Sequence, residues 1–146
     1  QVWASRVLVV DDNESNRLVV RLLLEQLGCS VDVASNGHEA LDLAQRETYH
    51  LIFMDCSMPE LDGYEATRRL RAREGSDTHN IVVAMTAYAL SGDRQRCLEA
   101  GMDDYISKPV DLASIRGVLS RNLGPPTTTE DRHSIALSSD PGTSTS

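Results

Sequence analysis

Along the first 123 residues, short apolar runs alternate with segments in which apolar residues recur every three or four positions. Runs of this length that are rich in β-branched residues are typical of strands buried on both faces of a parallel sheet. The pattern predicts strong strands at residues 7–10, 51–54 and 81–85, and weaker ones at 30–34 and 105–107. The alternation within 30–34 indicates a strand near the sheet edge.

The segments between the strands predict helices at residues 14–27, 37–46, 63–73, 92–100 and from 112 onward. Gly28 and Gly101 follow two of these helices, and Asp111 precedes the last one as a capping residue. Five strand–helix units predict an α/β fold, a doubly wound five-stranded parallel sheet with helices on both faces. The flavodoxin-like strand order 2-1-3-4-5 is taken over from that fold class and does not follow from the pattern itself.

Composition divides the chain of 146 residues into one domain and two flanking segments. We expect an N-terminal extension at residues 1–5 and a folded domain at 6–123. Residues 124–146 are rich in Pro, Thr and Ser, and have too few apolar groups to offset the entropy of ordering, so they predict a disordered linker or tail. Because the sequence begins with Gln1, we expect a segment of a longer protein.

The formal net charge of −8 argues against nucleic acid as a partner. The arginines of the third helix are therefore interpreted as a solvated face; they are Arg68, Arg69, Arg71 and Arg73. Cys29, Cys56 and Cys97 lack the spacing of a zinc site, and we interpret them as free thiols in the reducing cytoplasm. No apolar stretch reaches the roughly 20 residues of a membrane span, so direct membrane contact is not expected.

Polar residues suited to phosphoryl chemistry follow four of the five predicted strands. Asp11 and Asp12 follow the first strand, Asp55 the third, Thr86 the fourth and Lys108 the fifth. In an open parallel sheet, ligands bind beyond the carboxyl ends of the strands, where the strand order reverses. We therefore expect these side chains to meet in one crevice.

Three carboxylates in one crevice repel each other unless a cation or a proton is present. Mg²⁺, with Mn²⁺ as an alternative, suits the oxygen ligands Asp11, Asp12, Asp55 and the backbone carbonyl of Ser57. Asp55 is the predicted nucleophile, since a carboxylate that attacks phosphorus forms an acyl phosphate. Thr86 and Lys108 are the predicted phosphate contacts.

Four segments together resemble the response-regulator receiver domains of two-component systems, over about residues 6–123. They read VLVVDDNESNR, LIFMDCSMPELDGYEATRRLR, IVVAMTA and GMDDYISKPV. The resemblance implies that Asp55 is phosphorylated, that Asp11, Asp12 and the Ser57 carbonyl bind metal, and that Thr86 and Tyr105 act as a switch. It also implies a cis peptide bond between Lys108 and Pro109. The sequences of the second and fourth segments are similar to those of receivers of hybrid sensor histidine kinases.

Such a receiver takes its phosphoryl group from a phosphohistidine. The partner implied is the dimerisation and phosphoacceptor domain of a histidine kinase, or a histidine phosphotransfer domain. We expect it to dock at Asn16 and Val20 on the first helix, beside Pro109 and Val110. A charged residue at position 20 is expected to slow transfer without unfolding the domain.

Three alternatives stay open at this point. The chain could be a stand-alone response regulator without an output domain, or a degenerate receiver that binds proteins independently of phosphate. A phosphatase of the haloacid dehalogenase type also uses a strand-end aspartate, but Ser57 stands where its general acid would be. Two smaller hypotheses concern neighbours of the site: Tyr88 shields the phosphoryl group from water, and Cys56 is a small core residue instead of a redox sensor.

Overall fold

The computed structural model describes residues 2–75, 78–87 and 93–126, and strands alternate with helices throughout. The strands are β1 (Arg6–Val10), β2 (Ser30–Ala34), β3 (Leu51–Asp55), β4 (Val82–Thr86) and β5 (Asp104–Ser107). The helices are α1 (Glu14–Gln26), α2 (Gly37–Arg46), α3 (Gly63–Arg73), α4 (Asp93–Ala100) and α5 (Leu112–Leu123). Five βα units in this order confirm the predicted α/β class.

All strand pairs in the sheet are parallel, and the order is β2-β1-β3-β4-β5. The flavodoxin-like order is therefore confirmed, with β2 at an edge as its alternating sequence predicted. The order reverses between β1 and β3, so the carboxyl ends of these neighbouring strands flank the crevice in which ligands bind in this class of fold.

Two hydrophobic clusters cover the two faces of the sheet. Successive residues of a strand point to opposite faces, so Phe53 packs in one cluster while Ile52 and Met54 pack in the other. The central strands β1, β3 and β4 are buried almost completely, because helices cover both of their faces. The site at their carboxyl ends therefore rests on a rigid base.

Four helices begin at a side chain that caps them. Asn13, Asn36, Asp62 and the predicted Asp111 each accept a hydrogen bond from a backbone N–H two or three residues inside the helix. In the part of the chain that the structure describes, no helix is long and apolar enough to cross a membrane.

Four strands differ from prediction by one residue at one or both ends; β1 begins at Arg6 and β5 at Asp104, each one residue early. β3 includes Asp55, because Asp55 still pairs with Met85 of β4. β4 begins at Val82, not Ile81, and ends at Thr86. Both polar residues therefore belong to the last positions of central strands, which fixes their backbone more firmly than a loop would.

The N-terminal segment packs against the domain. The Trp3 side chain is buried, its indole donates a 2.9 Å hydrogen bond to the carbonyl of Gly124, and its backbone N–H donates to Leu27. Val2 lies so close to Gly28 that a Cβ at position 28 would overlap it. Trp3, from the segment expected to be an extension, thus ties the start of the domain to Gly124, the first residue of the segment 124–146 that was predicted to be disordered. Residues 127–146 of that segment lie outside the described residues.

Arg71 corrects the interpretation of the α3 arginines as a solvated face. Its side chain is only 19% exposed and pairs with Glu74 at 2.7 Å and Asp103 at 2.8 Å. Its guanidinium also donates to the backbone carbonyls of Asn80 and Gly101. Arg71 therefore ties the end of α3 to the start of β4 and to the α4–β5 turn, because these three segments meet at the amino edge of the sheet.

Candidate functional site

The polar strand ends converge at the carboxyl edge of the sheet, as the order of the strands requires. One carboxylate oxygen from each of Asp11, Asp12 and Asp55 lies within 4.8 Å of the other two. Asp11 and Asp12 directly follow β1, and Asp55 is the last residue of the neighbouring β3. Asp11 and Asp55 are buried, whereas Asp12 is exposed.

The backbone around Asp55 is held by the turn that leads into α3. Its Oδ1 atom accepts a 3.1 Å hydrogen bond from the N–H of Ser57. Gly63 comes so close that a Cβ there would collide with the Asp55 carbonyl oxygen, and the Gly63 N–H donates to the carbonyl of Cys56. Glycine at position 63 therefore lets the start of α3 pack directly on the Asp55 backbone.

Lys108 reaches the carboxylates from the end of β5. Its Nζ atom donates a 2.9 Å hydrogen bond to Asp55 Oδ1 and lies 3.5 Å from Asp11 Oδ2. The Lys108 backbone N–H donates to the carbonyl of Thr86, and the Lys108–Pro109 peptide bond is cis. The ammonium group is thus held against the nucleophile predicted from the sequence.

Burial determines the electrostatics of the Asp55–Lys108 pair. Burial raises the pKa of Asp55 to about 6, against the opposing effects of the Lys108 hydrogen bond and the Ser57 N–H, and the Asp11 charge raises it further. Burial also acts to lower the pKa of Lys108, but its contacts with Asp55 and Asp11 outweigh burial and raise it. Lys108 is therefore a permanent cation, and Asp55 is harder to ionise than an ordinary aspartate.

The acidic cluster fits a hard divalent cation. Asp11 Oδ1 accepts from the Asn13 N–H, but the buried Oδ2 atom has no hydrogen-bond partner among the described residues. A buried acceptor without a hydrogen bond is costly, and the single ammonium of Lys108, 3.5 Å from this atom, leaves three carboxylates incompletely neutralised. Carboxylate oxygens with an exposed member such as Asp12 suit Mg²⁺, which keeps several of its waters.

A cavity of about 540 Å³ opens above Asp55. Of the residues predicted from sequence, Asp55, Ser57, Thr86 and Lys108 line it. Its other walls include the side chains of Met58, Tyr64 and Arg96, which the sequence analysis did not place there. The cavity therefore has room for a group that reacts at Asp55.

The sequence model of the response regulator receiver domain family matches residues 7–120. The chain belongs to this family. The receiver is 40% identical over 132 residues to the sensor histidine kinase GacS of Pseudomonas protegens, a match that covers 84% of this chain and 14% of that protein. The chain thus spans about a seventh of the length of this relative.

Solved receiver structures share this fold. The receiver domain of the sensor histidine kinase PA1611 from Pseudomonas aeruginosa PAO1 has a TM-score of 0.76 and 41% identity, covering 84% of this chain and all of that one; it holds a magnesium ion in its active-site cleft. A chain from the complex of the Saccharomyces cerevisiae phosphotransfer protein Ypd1 with the receiver of Ssk1 has a TM-score of 0.76 and 29% identity, covering 90% and 97%.

The four residues predicted to dock a partner lie around one small pocket of the receiver. Asn16, Val20, Pro109 and Val110 line it, together with Val19 and others. Val20 is only 3% exposed, so the expectation that a charge there leaves the fold intact is wrong: that charge would enter the core. Val19, which is 49% exposed on the same pocket, permits the test that Val20 does not.

The predicted switch residues lie on neighbouring strands of the receiver. Thr86 is buried at the end of β4 and lines the cavity above Asp55. Tyr105, on β5, is half-buried, and the guanidinium of Arg94 lies 5.8 Å from its ring centre. Tyr88, predicted to shield the phosphoryl group, lies outside the described residues.

Three features near the site differ in how far the sequence could have predicted them. Arg17 donates a 2.8 Å hydrogen bond to the Asp11 carbonyl from one turn of α1 away, a spacing that sequence could have suggested. Arg96 gave no signal, because only the packing of α4 on α3 brings it to the cavity. Burial raises the pKa of the Cys56 thiol to about 12, so it stays protonated, in keeping with a core residue.

Proposed function

We propose that this chain is the phosphoacceptor receiver of a phosphorelay and that Asp55 accepts a phosphoryl group from a phosphohistidine. The observation that supports this most is the convergence of Asp11, Asp12 and Asp55 with the Lys108 ammonium, beside the cavity that Asp55 and Lys108 line. Nucleophile, cation and metal ligands are then all within reach of one phosphoryl group. Thr86 completes the set with a hydroxyl donor.

Transfer requires Asp55 in its carboxylate form. One Oδ atom attacks phosphorus, the bond from phosphorus to the histidine nitrogen breaks, and the nitrogen keeps the electron pair. Lys108 already donates to Asp55 Oδ1 at 2.9 Å, so it is positioned to donate to a phosphoryl oxygen as negative charge moves there. Such reactions depend mainly on positioning and on charge neutralisation.

We assign Mg²⁺ binding to Asp11, Asp12, Asp55 and the carbonyl of Ser57. The ion, when bound, supplies positive charge that offsets the carboxylates and the incoming phosphate. The buried Oδ2 atom of Asp11 and the exposure of Asp12 support this assignment. We propose that Mn²⁺ substitutes, because it accepts the same oxygen ligands.

The acyl phosphate would act as a switch and not as a step in the turnover of a substrate. We infer that Thr86 moves toward a phosphoryl oxygen and that Tyr105, half-buried on the neighbouring strand β5, changes its packing. Ser57 stands where a phosphatase would need a general acid, so release of phosphate rests on hydrolysis at Asp55 itself. The chain alone then is a phosphoacceptor that catalyses its own phosphotransfer and dephosphorylation.

The parent protein is proposed to be a hybrid histidine kinase, as GacS is a sensor histidine kinase. The donor would be that kinase's phosphoacceptor domain or a histidine phosphotransfer domain, the class of protein bound to the Ssk1 receiver. Three apolar side chains on α1 support docking next to the pocket of Asn16, Val20, Pro109 and Val110; they are Leu18, Val19 and Leu22, each about half exposed. We place the receiver in the cytoplasm, where a histidine kinase takes its phosphoryl group from ATP.

Phosphoramidate and Mg²⁺ test the proposal directly. Intact-mass measurement should show one added phosphoryl group on the wild type and none on Asp55→Asn or after chelation of the metal. Asp42→Asn, an exposed aspartate on α2, is the matched control and should be modified like the wild type. Modification of Asp55→Asn to the same extent, or a wild type that stays unmodified, would overturn the assignment.

A further inference from the structure

The cavity above Asp55 has two kinds of wall. The carboxyl ends of β3 and β4 and the residue after β5 supply Asp55, Thr86 and Lys108, whereas the first turns of α3 and α4 supply Tyr64 and Arg96. Its volume of about 540 Å³ lies within the range of small-molecule pockets. It therefore has room for more than a phosphoryl group.

Arg96 is held on the helix wall by an aromatic ring. Its guanidinium carbon lies 4.2 Å from the centre of the Tyr64 ring, a close cation–π distance. Tyr64 itself is buried in the core between α3 and the sheet. A guanidinium that stacks through its face keeps the N–H groups at its edge for other partners. Arg96 thus places a fixed positive charge on the wall of the cavity.

We propose that Arg96, stacked on Tyr64, is a specificity-determining residue that receives the anionic leaving group of small acyl-phosphate donors; this rests on the phosphoacceptor function of Asp55. An Asp55 oxygen bonds to phosphorus while the bond between phosphorus and the acyl oxygen breaks, and a carboxylate departs with the electron pair. The attacking and leaving oxygens lie roughly in line. The leaving group therefore departs from β3 into the cavity, where Arg96 stabilises its charge.

Phosphoramidate, a second donor, distinguishes this role of Arg96 from a general effect of Arg96 on the structure of the site. In phosphoramidate the bond from phosphorus to nitrogen breaks, and the nitrogen, already protonated, departs as neutral ammonia. The reaction at Asp55 and the contacts of Thr86 and Lys108 are the same for both donors. Only acetyl phosphate releases an anion for Arg96 to stabilise, so a loss confined to acetyl phosphate identifies the subsite.

The test compares initial phosphorylation rates of the full chain with acetyl phosphate and with phosphoramidate at saturating Mg²⁺. Arg96→Met keeps an apolar stem over Tyr64 and removes the charge. We expect this variant to lower the rate of phosphorylation by acetyl phosphate about fivefold and the rate with phosphoramidate less than twofold. Arg96→Lys should restore most of the acetyl phosphate rate. Arg69→Met removes an equal charge from the exposed face of α3 and should leave both rates unchanged.

The dependence of the rate on ionic strength is a second test of the Arg96 charge. The acetyl phosphate rate of the wild type should fall with added salt more steeply than that of Arg96→Met. An equal loss with both donors, or no loss with either, would overturn the subsite while leaving Asp55 as the acceptor. A wild type that neither donor phosphorylates would instead overturn the phosphoacceptor function, and the subsite with it.

Discussion

Replacement of Asp55 by asparagine should stabilise the metal-free receiver at neutral pH. Burial raises the pKa of Asp55 to about 6 in the folded protein, whereas an unfolded aspartate titrates near about 3.9. The folded state therefore holds this proton more tightly, and the domain loses stability as the pH rises from about 4 to about 6. Asparagine has a similar shape and never ionises, so it avoids this loss.

The magnitude follows from the difference between the two pKa values. About two units correspond to about 3 kcal/mol at pH 7 and to about half of that at pH 5, where Asp55 is largely protonated in the folded state. The amide oxygen still accepts hydrogen bonds from Lys108 and the Ser57 N–H, but a charged partner binds Lys108 more strongly. We therefore expect a net gain of about 1–3 kcal/mol at pH 7.

Urea unfolding at pH 7 and pH 5, with and without Mg²⁺, measures this gain. In chelator, Asp55→Asn should unfold at higher urea than the wild type, and the difference should shrink as the pH falls. Saturating Mg²⁺ should reverse the order, because the wild type keeps a ligand that the variant lacks. A variant no more stable than the wild type in chelator, or a gain independent of pH, would contradict this prediction; Asp42→Asn serves as the control.

Three further predictions concern the surroundings of the site. Gly63→Ala should slow phosphorylation by phosphoramidate on the order of tenfold, since its methyl group displaces the Asp55 backbone; an unchanged rate would exclude this contact. Trp3→Ala should lower the free energy of urea unfolding by about 3 kcal/mol, and Trp3→Phe by about 1 kcal/mol through loss of the bond to Gly124; equal stability would show that residues 1–5 are dispensable. Val19→Asp should slow transfer from a phosphohistidine partner about tenfold but leave the phosphoramidate rate and unfolding unchanged; slowing of both reactions would contradict docking there.

Much of the fold could be predicted because the central strands β1, β3 and β4 each contain a continuous apolar run between recognisable breaks. The central strands are buried on both faces, so every position in them must be apolar, and a polar residue such as Asp55 or Thr86 marks the end of the run. The position of the site follows from the same pattern. Parallel strands bring their carboxyl ends to one edge, so the polar residues at the ends of four strands meet without any further information.

The contacts made by long side chains could not be predicted in the same way. Arg71 has the same residue type as its solvated neighbours on α3, and only the positions of Asn80 and Asp103 explain its burial. A signal did exist: Thr67, Leu70, Arg71 and Glu74 share one helical face, and the first two are buried. The helical pattern therefore places Arg71 on the inward face of α3, but it does not indicate which residues Arg71 contacts.

Contacts between distant segments were missed for a related reason. Trp3 and Gly124 are 121 positions apart, and no periodicity connects them. Arg96 reaches Tyr64 because α4 packs beside α3, which depends on the twist of the sheet and on helix packing. Hydrophobic pattern predicts which elements form, while tertiary geometry determines which exposed side chains reach a cavity.

A crystal structure of the receiver with Mg²⁺ and beryllofluoride, a mimic of the acyl phosphate, would show whether Asp55, the acidic cluster and Lys108 form one site. We expect beryllium bonded to an oxygen of Asp55 and Lys108 in contact with a fluoride. One Mg²⁺ should be held by Asp12, Asp55 and the Ser57 carbonyl, with Asp11 bound to it directly or through water. Thr86 should donate to a second fluoride. Beryllofluoride bound elsewhere, or a metal ion that leaves Asp12 and Asp55 untouched, would contradict the account.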